Sequence, residues 1–160
     1  MLRTRRWCDA VEPDDGFRVL IARYRPRGVS QAEETWSGFM PQLGPSKALH
    51  AAAYGKGGAV PIDWDAYAAR YLEEMREQSF WIHNLATLHA RGETVTLLCS
   101  SACTDEARCH RSLLRGLIEA EAARLGEAQP DTRRGVVVRR GEGASAPASG
   151  TRPKPEPGRR

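Results

Sequence analysis

Hydrophobic and polar positions along the chain fall into blocks with two different periods. Residues 17–24 have an apolar centre, Val19-Leu20-Ile21-Ala22, which predicts a strand buried on both faces. Residues 94–99 repeat that signal, and residues 3–9 predict a shorter strand at a sheet edge. Between these blocks, Ser30 with Glu33 three residues on has the capping-box spacing and predicts a helix that Pro41 and Gly44 close. Ser46 predicts the cap of a short helix through Ala53, stopped by Gly55. From Asp63, the residues Trp64, Tyr67, Ala68, Tyr71, Leu72 and Met75 recur at three and four. The pattern continues through Ile82, Leu85 and Ala86 to Gly92, with Ser79 dividing it into two helices. A last helix carries Leu113, Leu114, Leu117, Ile118 and Leu125 on one face, with Asp105 as its expected N-cap. Val136-Val137-Val138 reads as a final strand.

Strands alternating with helices imply right-handed βαβ crossovers. The expected fold is therefore an α/β domain, with a mainly parallel sheet flanked by helices, over residues 1–126. Residues 127–160 read as a basic tail. Its part from 141 to 160 has almost no large apolar residue and is expected to be disordered. No apolar run approaches the roughly 20 residues that cross a bilayer, so no membrane partner is expected. The basic start, Met1–Arg6, is not followed by an apolar segment, and acids at Glu12, Asp14 and Asp15 argue against a transit peptide. The cytoplasm of a bacterium is the expected location.

Charge changes this picture in one respect. A net charge of +4 and a pI of about 9.1 suggest a nucleic-acid binder. Residues 131–160, however, hold 8 basic and 3 acidic residues, while residues 1–130 hold 16 basic and 17 acidic. The excess lies in the tail, so nucleic-acid association, the alternative reading, is expected through the tail alone. Of the four cysteines, Cys99, Cys103 and Cys109 fall within eleven residues, which points to a local site rather than a disulfide framework.

Ligand crevices in parallel sheets lie beyond the carboxyl ends of the strands. Two segments occupy that position. Arg23-Tyr24-Arg25-Pro26-Arg27-Gly28 gathers guanidinium forks suited to carboxylate or phosphate. Cys99 to Arg111 combines thiols, hydroxyls, an imidazole and two guanidiniums at a strand–loop–helix junction. A helix N-terminus favours anions and lowers a nearby thiol pKa, so an anion site and an activated cysteine are both open. A zinc set of Cys99, Cys103, Cys109 and His110 is a third reading. Its C-x3-C-x5-C-H spacing is unusual, and adjacent Cys109 and His110 point about 100° apart on a helix, so no metal ligand is assigned. Cys103 to Arg108 is one residue short of a cysteine-phosphatase loop. His50, His83, His89, Trp64, Tyr67 and Tyr71 read as structural, and Gly55-Lys56-Gly57-Gly58 as a loop tip rather than a phosphate loop.

With these segments in view, the chain resembles the bacterial and archaeal family of domain of unknown function 488. The features that carry the resemblance are Val19–Arg23 with Tyr24–Gly28, and Thr96-Leu97-Leu98-Cys99 followed by Cys109-His110-Arg111-Ser112-Leu113-Leu114. Leu43-Gly44-Pro45-Ser46 also fits, and the match covers about residues 3–125. The resemblance implies a small three-layer Rossmann-like α/β domain, a cleft where Arg23, Cys99, Cys109, His110 and Arg111 meet, and no established activity. Ala22 and Ser101 replace acidic residues common in the family, so no general acid–base role is expected of a carboxylate at either position.

The functional expectation is a small anionic ligand, phosphorylated or nucleotide-like, held by Arg23, Arg25, Arg27, Ser100, Ser101 and Arg111. If the chain is an enzyme, it is a cysteine-dependent hydrolase or transferase. Cys99 or Cys109 would then be the nucleophile and His110 the general base or acid. A non-catalytic sensor using the same cleft is the alternative; no cofactor is assigned.

Overall fold

The apolar centre of residues 17–24 is buried as its composition demands. In the computed structural model, which describes residues 1–128, Val19, Leu20 and Ile21 are wholly inaccessible to solvent. They belong to or follow strand β2 (Phe17–Leu20) of a four-stranded, all-parallel sheet. The other strands are β1 (Leu2–Arg6), β3 (Gly38–Phe39) and β4 (Val95–Cys99). Their order is β1-β4-β2-β3, so the two most apolar strands lie at the centre and β1 forms an edge, as the hydrophobic pattern predicts. Register pairs Leu2 with Val95 and Val19 with Leu97.

Successive strand residues face opposite sides. Val19, Ile21, Val95 and Leu97 enter the main core, where they meet Tyr71 and Met75 of α2 (Trp64–Arg76), Leu85 of α3 (Ser79–Ala90), and Leu114 and Ile118 of α4 (His110–Ala128). Leu49 of α1 (Lys47–Ala53) joins the same cluster. Leu20, Ala22 and Leu98 face the other way, under Trp36, Trp7, Val29 and Phe39. The domain is thus a three-layer α/β unit in which loop and turn segments cover the second sheet face.

Three of the five expected helix starts hold, and two do not. Ser46 Oγ accepts from the Leu49 N–H at 3.0 Å and Asp63 Oδ1 from the Ala66 N–H at 2.8 Å, while α2 and α3 divide beside Ser79. Ser46→Ala and Asp63→Ala are each expected to cost about 1 kcal/mol in urea unfolding, the usual loss for an N-cap. The helix expected from Ser30 is only a 3₁₀ turn, Gln31–Glu33. The Glu33 carboxylate does accept from the Ser30 N–H at 2.9 Å, but the chain then extends. The open edge of β2 captures it: Ser37 N–H donates to the Arg18 carbonyl and Met40 N–H to that of Leu20. Burial of Trp36 reinforces the extended path. The strand expected over 17–24 stops its ladder at Leu20, and Asp105 makes a local turn to the Ala107 N–H instead of capping α4. Among the described residues no helix is long and apolar enough to cross a membrane. The expected strand at Val136–Val138 and the expected disorder at 141–160 lie outside the described residues.

Candidate functional site

Because all four strands are parallel, their carboxyl ends open on one edge of the sheet. A cleft of about 600 Å³ lies there, lined by Trp7 after β1, Ala22–Arg27 after β2, and Cys99–Ser101 at the end of β4. This volume is ordinary for a small-molecule site. Arg23, Arg25 and Arg27 all line it, together with Arg108, which sequence reasoning weighed only as the arginine of an incomplete phosphatase loop. Arg25 pairs with Glu34 and stacks over Phe39, so its charge is partly satisfied within the fold. Arg23 is different: its Nε is buried with no hydrogen-bond partner among the described residues. Asp63 is the single acidic residue of the described lining, and its carboxylate caps α2.

Aromatic rings form two walls. On α2, spacing by three and four stacks Trp64 on Tyr67 (centroids 5.5 Å) and Tyr67 on Tyr71 (6.2 Å). Only Tyr71 belongs to the core, its hydroxyl donating to the Leu43 carbonyl at 2.7 Å; Trp64 and Tyr67 face the cleft. Opposite them, His50 lies 5.4 Å from Tyr24 and 4.9 Å from Tyr54. The periodicity that reads Trp64, Tyr67 and His50 as structural is correct about the helix face but silent on how far the core extends along it.

The thiols meet at the floor. Cys99 ends β4, Cys109 immediately precedes α4, and the turn closed by Cys103 N–H on the Ser100 carbonyl returns Cys103 between them. All three Sγ atoms lie within 4.8 Å of one another, with Cys99 and Cys103 3.2 Å apart. Cys99 and Cys109 are buried, whereas Cys103 is half-exposed. The Cys109 and Cys99 thiols both hydrogen-bond to Cys103, which lowers its pKa to about 3 despite burial. The partnership with Cys103 works in the other direction on Cys99, which is raised strongly, and on Cys109, raised to about 11. Sequence reasoning placed Cys103 in the zinc set and in the incomplete phosphatase loop, and not among the candidate nucleophiles.

His110 stands behind the thiols. Its Nε2 faces the Ile21 carbonyl at 3.1 Å, which can only accept, so the proton sits on Nε2. Burial keeps the ring pKa low, and Cys99 Sγ lies 3.8 Å from Nδ1. Ser100 and Ser101 also line the cleft. Arg111 does not. Its side chain turns along the α4–β1 seam, into a shallow depression with Arg3, Arg5, Asp9 and Arg115.

Comparison with known proteins adds to this geometry. Residues 2–122 match the family described as the active DUF488-N3 subclade. The chain belongs to that family, DUF488-N3a. Among its relatives, the Escherichia coli K12 protein YeaO, whose name records it as uncharacterized, is 27% identical over 105 residues, covering 66% of this chain and 87% of YeaO. The uncharacterized proteins Mb3100c of Mycobacterium bovis and Rv3073c of Mycobacterium tuberculosis are each 27% identical over 117 residues, covering 73% of this chain and 92% of each relative. No solved structure matches. The match to DUF488-N3a spans both sheet-end segments, from Arg23 to the Cys99–His110 loop.

Proposed function

We propose that the DUF488-N3a cleft binds a small organic anion carrying a ring and a phosphate or carboxylate group, and presents it to the thiol cluster. The observation that carries this reading is the lining itself: four arginines and two aromatic walls around half-exposed Cys103. Guanidiniums recognise the anionic group, and Trp64 and Tyr67 supply a stacking surface for the ring. The description of the subclade as active favours an enzyme, with chemistry of the hydrolase or transferase kind that depends on the cysteines. We place the protein in the cytoplasm, where its four thiols stay reduced.

Calorimetric titration of the full chain with phenyl phosphate and with inorganic phosphate tests the reading. Arg23→Ala is expected to weaken both ligands by about 10–100-fold, the worth of one charge-assisted hydrogen bond. Trp64→Ala is expected to weaken phenyl phosphate only. Wild-type affinity in Arg23→Ala, or no binding of either probe at millimolar concentration, would overturn the proposal. Retained binding and retained cellular function in a Cys99→Ser, Cys109→Ser variant would make the cleft a sensor rather than a catalytic site.

A further inference from the structure

The thiol cluster has a geometry that hydrogen bonding alone does not account for. A thiol is a weak donor and a weak acceptor, so three neutral thiols gain little from converging. Yet Cys99, Cys103 and Cys109, drawn from a strand end, a turn and a helix start, bring their Sγ atoms within 4.8 Å of one another. A single zinc ion with sulfurs at about 2.3 Å in tetrahedral geometry holds those sulfurs about 3.8 Å apart. A four-iron cluster distributes its cysteines over separate irons and needs a wider set. A disulfide would use two of the sulfurs and leave the third without a role.

A second observation points the same way. Arg111 is only 4% exposed, and its Nε and Nη1 are buried with no hydrogen-bond partner among the described residues. A buried guanidinium without a counter-charge is costly. The acidic residues that share its depression are engaged elsewhere, Asp9 by Arg6 and Glu106 by Arg115. Three thiolates around one divalent ion leave one net negative charge at the floor of the cleft that Arg23 lines, where the Arg23 Nε is buried with no hydrogen-bond partner among the described residues.

We propose that Cys99, Cys103 and Cys109 bind one thiophilic metal ion of the zinc(II) class, with the fourth coordination position open to the cleft. Thiolates select zinc and copper(I) over magnesium or calcium, whose ligands are oxygens. His110 does not complete the set. Its nitrogens lie 3.7 and 3.8 Å from Cys99 Sγ, and Nε2 is held by Ile21, so it supports a ligand from behind. Cys103 is the half-exposed member and borders the cleft, so the remaining position faces Arg23 and Ser101. Catalytic zinc sites keep such a position for water or substrate, whereas structural sites close it. The three-sulfur site stands without the anion reading; only the identity of the fourth ligand rests on it.

The test is cobalt(II) titration of the full reduced chain, followed by zinc competition. One cobalt per chain is expected, with thiolate-to-cobalt charge-transfer absorption and tetrahedral d–d bands that one equivalent of zinc abolishes. Cys103→Ser is expected to weaken cobalt by at least about tenfold, while Cys8→Ser, at the exposed cysteine, leaves affinity unchanged. Cobalt uptake without the charge-transfer band, or equal affinity in Cys8→Ser and Cys103→Ser, overturns the site. Should Cys103→Ser fail to fold, alkylation of the wild-type chain decides: zinc is expected to protect three thiols and spare none of Cys8, and unchanged alkylation of all four overturns the proposal. Inorganic phosphate is expected to shift the cobalt bands in wild type and not in Arg23→Ala. Cobalt binding without a phosphate shift removes the open position, and intact cobalt binding in Arg23→Ala separates failure of the anion reading from failure of the metal site.

Discussion

Replacing Asp15 by alanine is expected to destabilise the fold by about 3–5 kcal/mol, the range for breaking a buried ion pair from one side. Asp15 is 1% exposed and Arg18, to which it is paired, 4%. Its carboxylate also accepts from Arg5 Nε at 3.0 Å and from the Glu12 N–H at 3.1 Å, and its carbonyl accepts from Thr96 Oγ1 at 2.7 Å. Arg18 in turn donates from Nε to the Thr35 carbonyl, tying the 30–37 segment to the sheet. Without Asp15 the Arg18 guanidinium remains buried with no carboxylate, so Asp15→Asn should lose most of the same stability despite its matching shape. Burial alone would raise the Asp15 pKa, but the Glu12 amide, Arg18 and Arg5 outweigh it and hold the group below its ordinary value. A depressed carboxylate contributes stability that is fully present above its unfolded pKa of about 3.9 and is lost as pH falls through the folded value. The wild type should therefore weaken steeply only in acid, and Asp15→Asn should show a flatter profile there. Urea unfolding at neutral pH and across the acid range measures both effects. A loss below about 1 kcal/mol would mean that the pair behaves like a surface salt bridge.

The contrast between this pair and the rest of the fold shows what a linear pattern carries. Helix starts at Ser46 and Asp63 are legible because the cap and its N–H lie three residues apart. The centre of the sheet is legible because β2 and β4 are buried on both faces and so are continuously apolar. Strand β3 is not, since two residues with no alternation pair only because the edge of β2 stands open. The same limit applies at the site. Arg23, Cys99 and Cys109 are marked by their position at strand ends and a helix start. Arg111 shares that helix start but rotates onto the β1 side, a matter of helix phase that no local motif encodes. Cys103 sits in a loop, where period is undefined, and its place between the other thiols depends on one turn at Ser100. Trp64 and Tyr67 carry the periodicity of the core residue Tyr71, and only the end of the sheet decides that they face a cleft.

Gly44→Ala is expected to damage the fold and the cleft together. The φ of Gly44 is −84°, so any residue could adopt its backbone conformation, and the constraint is contact. A Cβ there would lie 2.6 Å from the Ile21 carbonyl oxygen, 2.8 Å from the Arg23 nitrogen and 2.9 Å from the Ala22 carbonyl carbon. These are all backbone atoms, at the point where the chain leaves β2 and turns into the arginine segment. They cannot swing aside as a side-chain tip would. Overpacking of this kind costs about 1–3 kcal/mol. The displaced atoms also hold the site: the Ile21 carbonyl anchors His110, and the adjoining Leu43 carbonyl takes the Tyr71 hydroxyl. Phosphate affinity should therefore fall in Gly44→Ala although residue 44 does not line the cleft. Gly28→Ala provides the comparison. Its φ of +78° makes alanine strained, but no atom lies within 4 Å of the added Cβ, so a loss of about 1 kcal/mol is expected from backbone conformation alone. Melting curves and phosphate titrations of the two variants separate the contributions. Loss of stability with unchanged phosphate affinity in Gly44→Ala would show that the Ile21–Arg23 backbone can yield without moving Arg23.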